Sequence, residues 1–141
     1  MERPIASPHE IRNPDTLPPA QGFSHAVIAQ AGRTVYLAGQ TAQQTDGTIV
    51  SGTLAEQFDV AAGNVVKALE AAGAHPRDLV SMQIFVTDVD EYTRRRKEVG
   101  DAWRRHFGTN YPASGLFGVT RLVDPAAKVE LMAVAVVPAD R

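Results

Sequence analysis

Glu130 is the carboxylate that the sequence pattern makes conspicuous. It sits near the start of Val129-Glu130-Leu131-Met132-Ala133-Val134-Ala135-Val136-Val137, a run in which every other side chain is apolar. A carboxylate in such company is costly unless it is paired, hydrated or protonated, and buried carboxyls make good proton carriers near neutrality. A second reading stays open: an acid at a strand end that reaches water or pairs with Arg121. Ser114-Gly115 follows Tyr111-Pro112-Ala113. A turn of this kind can offer a hydroxyl and backbone N–H groups to an anion, or it can be a plain loop. It is not a Gly-x-Ser-x-Gly elbow, so a serine hydrolase finds little support. Gly39, in Leu37-Ala38-Gly39-Gln40, ends a strand where a ligand or a neighbouring chain can approach the backbone closely.

Other reactive side chains are less organised. His9, His25, His75 and His106 include no spaced pair suited to a metal. His25 is the best placed of them for chemistry, beside the first strand, and His106 in the last turn of a helix suits the dipole. Arg94-Arg95-Arg96-Lys97 with Arg104-Arg105 is the largest basic cluster. It reads as the solvated face of a helix, balanced by Asp88, Asp90, Glu91, Glu98 and Asp101, with phosphate binding as the alternative. Cysteine is absent, which removes disulfides, zinc thiolates and thiol nucleophiles and fits a cytoplasmic location. With 14 basic against 16 acidic side chains there is no basic excess to suit a general nucleic-acid binder. No Gly-x-x-x-x-Gly-Lys loop and no Gly-x-Gly-x-x-Gly loop after a strand is present. No apolar run is long enough for a membrane helix. The charged, proline-containing N-terminus does not read as a signal peptide.

The elements that must position these residues follow from periodicity. With 141 residues, one domain is expected. Pro4, Pro8, Pro14, Pro18 and Pro19 make residues 1–20 an irregular arm, with the domain proper over 21–141. Alternating segments 25–31 and 33–38 around Gly32 predict a hairpin, and Asp46-Gly47 a turn before a short strand at 48–50. Thr53-Leu54-Ala55-Glu56 matches a capping box, and Leu54, Phe58, Ala61, Val65, Leu69 and Ala72 mark one face of a helix over 53–72, stopped at Gly73. A strand is expected over 79–87 and a second helix over 90–107, weakened at Gly100. Strands 115–121 and 128–137 flank Asp124-Pro125. The order predicts a mixed β-sheet with two helices on one face. The last strand is apolar on both sides and wants cover on both, so oligomer formation is a physical expectation.

In their order and spacing, several short motifs resemble the reactive intermediate deaminase family, also called RidA/YjgF or L-PSP endoribonuclease-like. Gly22-Phe23-Ser24-His25-Ala26-Val27 is similar to its Gly-Tyr-Ser-x-Ala-Val segment. Val35-Tyr36-Leu37-Ala38-Gly39-Gln40 is similar to its strand ending in Ser-Gly-Gln. Gln57 and Asn64 on the first helix, Ala71-Ala72-Gly73, Asp78-Leu79-Val80 and Phe85-Val86-Thr87-Asp88 continue the match. Pro112-Ala113-Ser114, Arg121-Leu122 and Val129-Glu130-Leu131 complete it. The likeness covers about residues 21–137.

The resemblance implies an α/β (α+β), chorismate-mutase-like protomer assembled as a homotrimer, with small-molecule clefts between subunits and neither metal nor organic cofactor. It implies hydrolysis of enamines and imines, such as 2-aminoacrylate, to 2-keto acids and ammonia, with an arginine clamping the substrate carboxylate and a glutamate handling water. The glutamate corresponds to Glu130. The arginine position holds Ser114, which cannot form a bidentate, charge-assisted clamp. Phe23 stands for the family's tyrosine, Ala38 for a serine and Gly100 for a cleft asparagine. The expectation is a cofactor-free deaminase with Glu130 as catalytic acid–base and Phe23, Gly39, Ser114, Gly115 and Leu116 as substrate contacts. Its cleft should be roomy, less cationic and lined by Phe23, Leu116 and Met132, and typical 2-imino acids should be poor substrates. The alternative is a trimeric ligand-binding or stress-related protein without turnover. Neither nucleic acid nor membrane is an expected partner.

Overall fold

A computed structural model describes residues 6–141; Pro4 and the rest of residues 1–5 lie outside the described residues. The chain order is β1 (Glu10–Arg12), β2 (Ala26–Ile28), β3 (Gly32–Tyr36), α1 (Leu54–Ala71), β4 (Leu79–Val86), α2 (Val89–Arg94), α3 (Arg96–Phe107), β5 (Ala113–Gly118) and β6 (Val129–Pro138). The main sheet is mixed, with order β3-β6-β4-β5. Only β4 and β5 run parallel; β6 is antiparallel to both of its neighbours. The helices cover one face of it, giving the mixed α+β architecture that the element order predicts.

Helix α1 forms as its sequence dictates. Thr53 Oγ1 accepts from the Glu56 backbone N–H at 3.2 Å, and Glu56 accepts from the Thr53 N–H at 3.1 Å, so the capping box is complete. A third acid joins them: Glu91 of α2 accepts from the Leu54 N–H at 2.7 Å, tying the start of α1 to α2. The inner stripe of α1, Phe58, Ala61, Val65 and Leu69, is fully buried against Met82, Val86, Leu131 and Ala133 of the sheet and Val99, Trp103 and Phe107 of α3. Burying side chains of this size contributes roughly 1.5–3 kcal/mol each before entropy is subtracted.

Five expectations need correction. Segments 25–31 and 33–38 do not form a hairpin: β2 pairs with β1, and β3 pairs with β6. Gly32, read as a turn residue, is a strand residue opposite Pro138, where a side chain would strike the Val137 carbonyl. The arm is therefore not wholly irregular. It contributes β1, and His9 pins it to the body, with Nε2 3.0 Å from the Val136 carbonyl oxygen and 3.2 Å from that of Asp78. The Gln30 N–H donates to His9 Nδ1 at 3.1 Å, which fixes the ring as a neutral Nε2–H tautomer. Helix 90–107 is interrupted, at Arg95 instead of Gly100; Arg95 takes φ −105° and ψ 21°, and its guanidinium lies between Glu91 and Glu98. Residues 48–50 form no strand beyond a single bridge between Gln43 and Ile49. Strand β5 starts at Ala113, so Ser114 and Gly115 belong to an edge strand and not to a turn.

The outer sheet face, away from the helices, stays largely open. Tyr36 is 80 % exposed, and Met132 and Phe117 are each 47 % exposed. The inner face of β6, by contrast, is sealed at Val129, Leu131, Ala133, Ala135 and Val137. No helix among the described residues is long and apolar enough to cross a membrane.

Candidate functional site

Glu130 lies on the outer face of β6, opposite Phe85 of β4. The chain after β3 returns beside it: the Gln40 N–H donates to the Leu131 carbonyl at 2.8 Å, and the Leu131 N–H donates to the Gln40 carbonyl at 2.9 Å. This bridge lays Gly39 directly against the Glu130 side chain. A Cβ at position 39 would fall 2.8 Å from the Glu130 Cδ and 3.1 Å from its Cγ, and it would collide with the carboxylate oxygen. Any larger residue at position 39 would force the Glu130 carboxylate to shift from this position. The Glu130 carboxylate makes no hydrogen bond or ion pair with any described residue. Arg121 does not pair with it; its guanidinium turns to the Leu122 and Val123 carbonyls.

Two side-chain amides on α1 hold the segments that frame this corner. Gln57 is buried, donates to the Ala126 carbonyl at 3.0 Å and accepts from the Lys128 N–H at 2.8 Å, fixing the approach to β6. One face of the helix further on, Asn64 donates to the Thr41 and Gln43 carbonyls at 2.9 and 3.0 Å, fixing the chain that leaves Gly39. The spacing of seven residues puts both amides on one side of α1. An amide pairs with backbone as another strand would, which satisfies loop groups that have no ladder partner.

A separate concavity opens on the helix side. A cavity of about 950 Å³ lies between residues 18–23, the α2–α3 pair and the β4–β5 edge. Phe23, Tyr92, Trp103, Tyr111 and Leu116 wall it. Trp103 and Tyr111 stack with ring centroids 5.8 Å apart. Arg96, Lys97 and Arg104 line it as well. Asp101 holds Arg104 at 2.6 Å, whereas Arg96 and Lys97 have no hydrogen-bond or ion-pair partner among the described residues. Burial pushes the Tyr92 hydroxyl above its ordinary range, and the nearby Arg96 charge pulls it back.

The six residues singled out by sequence therefore fall into groups. Glu130 and Gly39 meet at the outer-face corner. Phe23 and Leu116 meet in the helix-side cavity. Ser114 stands opposite Met82, and its hydroxyl donates to the Pro112 carbonyl at 3.0 Å. Gly115 is packed under the Phe117 ring, with Cζ 2.8 Å from where a Cβ would be. Met132 does not line the cavity. His25 turns away from chemistry, with Nε2 2.8 Å from the Pro18 carbonyl oxygen and its ring edge-on to Phe23 at 5.1 Å. The cavity also departs from expectation in being cationic on one wall. Arg94, Arg96 and Lys97 are exposed, as the solvated-face reading of the run expects, and Arg96 and Lys97 also border this cavity. No group of three or more His, Asp or Glu among the described residues is arranged to hold a metal ion.

Comparison with known proteins places this geometry among relatives. The profile of the family described as Endoribonuclease L-PSP matches residues 14–137. A human protein named 2-iminobutanoate/2-iminopropanoate deaminase is 29 % identical over 115 residues, which is 81 % of this chain and 79 % of the human one. Its Bos taurus counterpart is 30 % identical over the same shares. Among solved structures, the Rid-family protein YyfB of Yersinia pestis, described as of unknown function, superposes with a TM-score of 0.82 at 30 % identity, covering 92 % of this chain and 98 % of that one. Rv2704 of Mycobacterium tuberculosis, a YjgF/YER057c/UK114 family member, gives 0.60 at 34 % identity over 82 % and 87 % of the two chains.

Proposed function

The chain belongs to the Endoribonuclease L-PSP family, which includes the Rid and YjgF proteins, and on that premise we propose that it is a cofactor-free hydrolase that deaminates small imines or enamines. The observation that carries this reading is the Glu130 carboxylate, seated against Gly39 and free of any described partner. In the proposed step Glu130 takes a proton from water as the oxygen adds to the carbon of the C=N bond. The proton passes to nitrogen, giving a carbinolamine; Glu130 then relays the hydroxyl proton to nitrogen as the C=O bond forms, the C–N bond breaks and ammonia leaves. An enamine enters the same path after tautomerising to its imine. Carboxylate bases of this kind contribute about 10²–10⁴-fold to rate. The names of the human and bovine relatives as imine deaminases support the reaction class. Their named substrates are not carried over, because Ser114 cannot clamp a carboxylate as an arginine does.

The reading includes assembly. The corner at Glu130 and the cavity at Phe23 are separate within one chain, and the outer face beside Glu130 exposes Tyr36, Met132 and Phe117. A chorismate-mutase-like homotrimer that packs these faces inward brings the corner of one copy to a neighbour and creates inter-subunit ligand clefts. Met132→Glu, which puts charge on that face, is expected to yield monomers by light scattering; a variant that keeps the wild-type mass argues against this packing. A cytoplasmic location and the absence of a nucleic-acid partner belong to the same proposal, the latter supported by the lack of basic excess.

Ammonia release from freshly generated 2-aminoacrylate and from imines without an adjacent carboxylate tests the function. Little turnover of the first and Glu130-dependent turnover of the second are expected, and Ser114→Arg should raise activity on 2-aminoacrylate. Equal rates for wild type and Glu130→Gln remove the acid from the mechanism. No turnover of any imine leaves the second reading, a ligand-binding protein, which the serine at position 114 favours.

A further inference from the structure

We propose that Arg96 is an anion anchor in the helix-side cavity, and that this cleft takes amphipathic acids whose charged group is carried on an aromatic or long apolar body. The inference rests on the cavity and on the charged and aromatic side chains that line it. A volume near 950 Å³ lies at the upper end for pockets that enclose drug-sized ligands. Its walls are amphipathic: Phe23, Trp103 and Leu116 offer apolar surface, and the Tyr92 and Tyr111 hydroxyls have no described protein partner.

Charge in the cavity is unevenly committed. Arg104 is held by Asp101, Arg105 by Asp59, and Arg95 by Glu91 and Glu98. Arg96 lines the cavity with no such acid, and its charge reaches the Tyr92 hydroxyl. A guanidinium with all its donors free, beside an apolar wall, binds carboxylate or sulfonate in bidentate fashion. Lys97 adds a second free positive charge. Glu130 is not among the residues lining this cavity. A ligand anchored at Arg96 lies on the helix side of the sheet, and Phe23, Trp103 and Leu116 supply the surface along which its body packs.

Trp103 is the single tryptophan of the chain, so its fluorescence reports on this cavity directly. Phenylbutanoate and the neutral phenylbutanol are titrated into the full-length protein. The acid is expected to bind saturably and about tenfold or more tighter than the alcohol, as one charge-assisted contact gives. Arg96→Gln should erase that preference, Arg96→Lys should keep part of it, and Arg94→Gln should leave it intact. Equal affinities for acid and alcohol, or a preference that survives Arg96→Gln, overturn the assignment. Glu130→Gln should bind phenylbutanoate as wild type does. Acid preference without turnover of any imine sinks the hydrolase reading and supports the anchor. Glu130-dependent hydrolysis with no acid preference does the reverse.

Discussion

The corner that holds Glu130 and the cavity that holds Arg96 differ in how they are built. The corner is made by backbone: a strand register, a two-bond bridge between Gln40 and Leu131, and two helix amides that seize the flanking loops. The acid lies part-buried against Gly39, at a backbone position that the register fixes. The cavity is assembled from side chains on six separate segments, and its uncommitted cations are a pair of long, flexible, exposed residues. The arm that forms one wall is tied down by His9 and by the His25 contact with Pro18. Rigid elements suit a group that must be placed to within a fraction of an ångström, and adaptable ones suit recognition of a body of variable shape. The chain keeps its acid in the first environment and its free cations in the second.

Substitutions that strike one region and spare the other break or sharpen this contrast. Glu130→Gln should lower kcat by about 10²–10⁴-fold while leaving the fluorescence response of Trp103 to ligands unchanged. Gly39→Ala should also lower kcat, by about tenfold or more, since moving a reacting group by an ångström is enough; KM should change less than kcat. If Gly39→Ala is as active as wild type, the corner is not as tightly set as its geometry implies. Gln57→Leu removes two hydrogen bonds from a buried position and leaves the Ala126 carbonyl and Lys128 N–H unpaired, at a cost of roughly 1–3 kcal/mol. Thermal denaturation measures the loss, and the cavity should still bind ligand in the folded fraction.

The smallest effect concerns the joint between α1 and α3. Partial burial pushes the Asp59 carboxyl up, but hydrogen bonds from Arg105 and His106, at 2.9 and 2.8 Å, and their charges outweigh it and hold the group below the usual carboxylate range. A depressed folded-state value means that the stabilisation is complete above the unfolded carboxyl's value of about 3.9 and is lost as pH falls through the lower, folded one. Asp59 is substantially exposed, so the effect is modest. The melting temperature of Asp59→Asn should lie slightly below wild type at neutral pH and converge with it in strong acid. A constant gap at every pH would assign the loss to packing.

Local signals were readable where one residue type does one job. The Thr53–Glu56 capping box and the stripe from Leu54 to Leu69 specify α1 because capping and amphipathicity act within a few residues. The alternation in β6 specifies a strand buried on both sides or left needing cover. Gln57 and Asn64 were visible as a pair, but their partners, 69 and 23 residues away, were not. Gly32 misled because glycine serves both turns and close approaches, and the approach here is to Val137, far along the chain. The basic run at 94–97 is legible as an exposed face, but which of its members an acid reaches is not, because the run looks the same either way.

By itself, then, the sequence determined where α1, β4 and β6 run and that Glu130 is the one acid in an otherwise apolar strand. Those properties depend on neighbours within a few residues. Which strand pairs with which, that Gly39 is laid against Glu130, and that Arg96 is left without an acid were decided by tertiary structure. Each is a contact between distant segments, settled only when packing of the apolar faces fixes the whole arrangement at once.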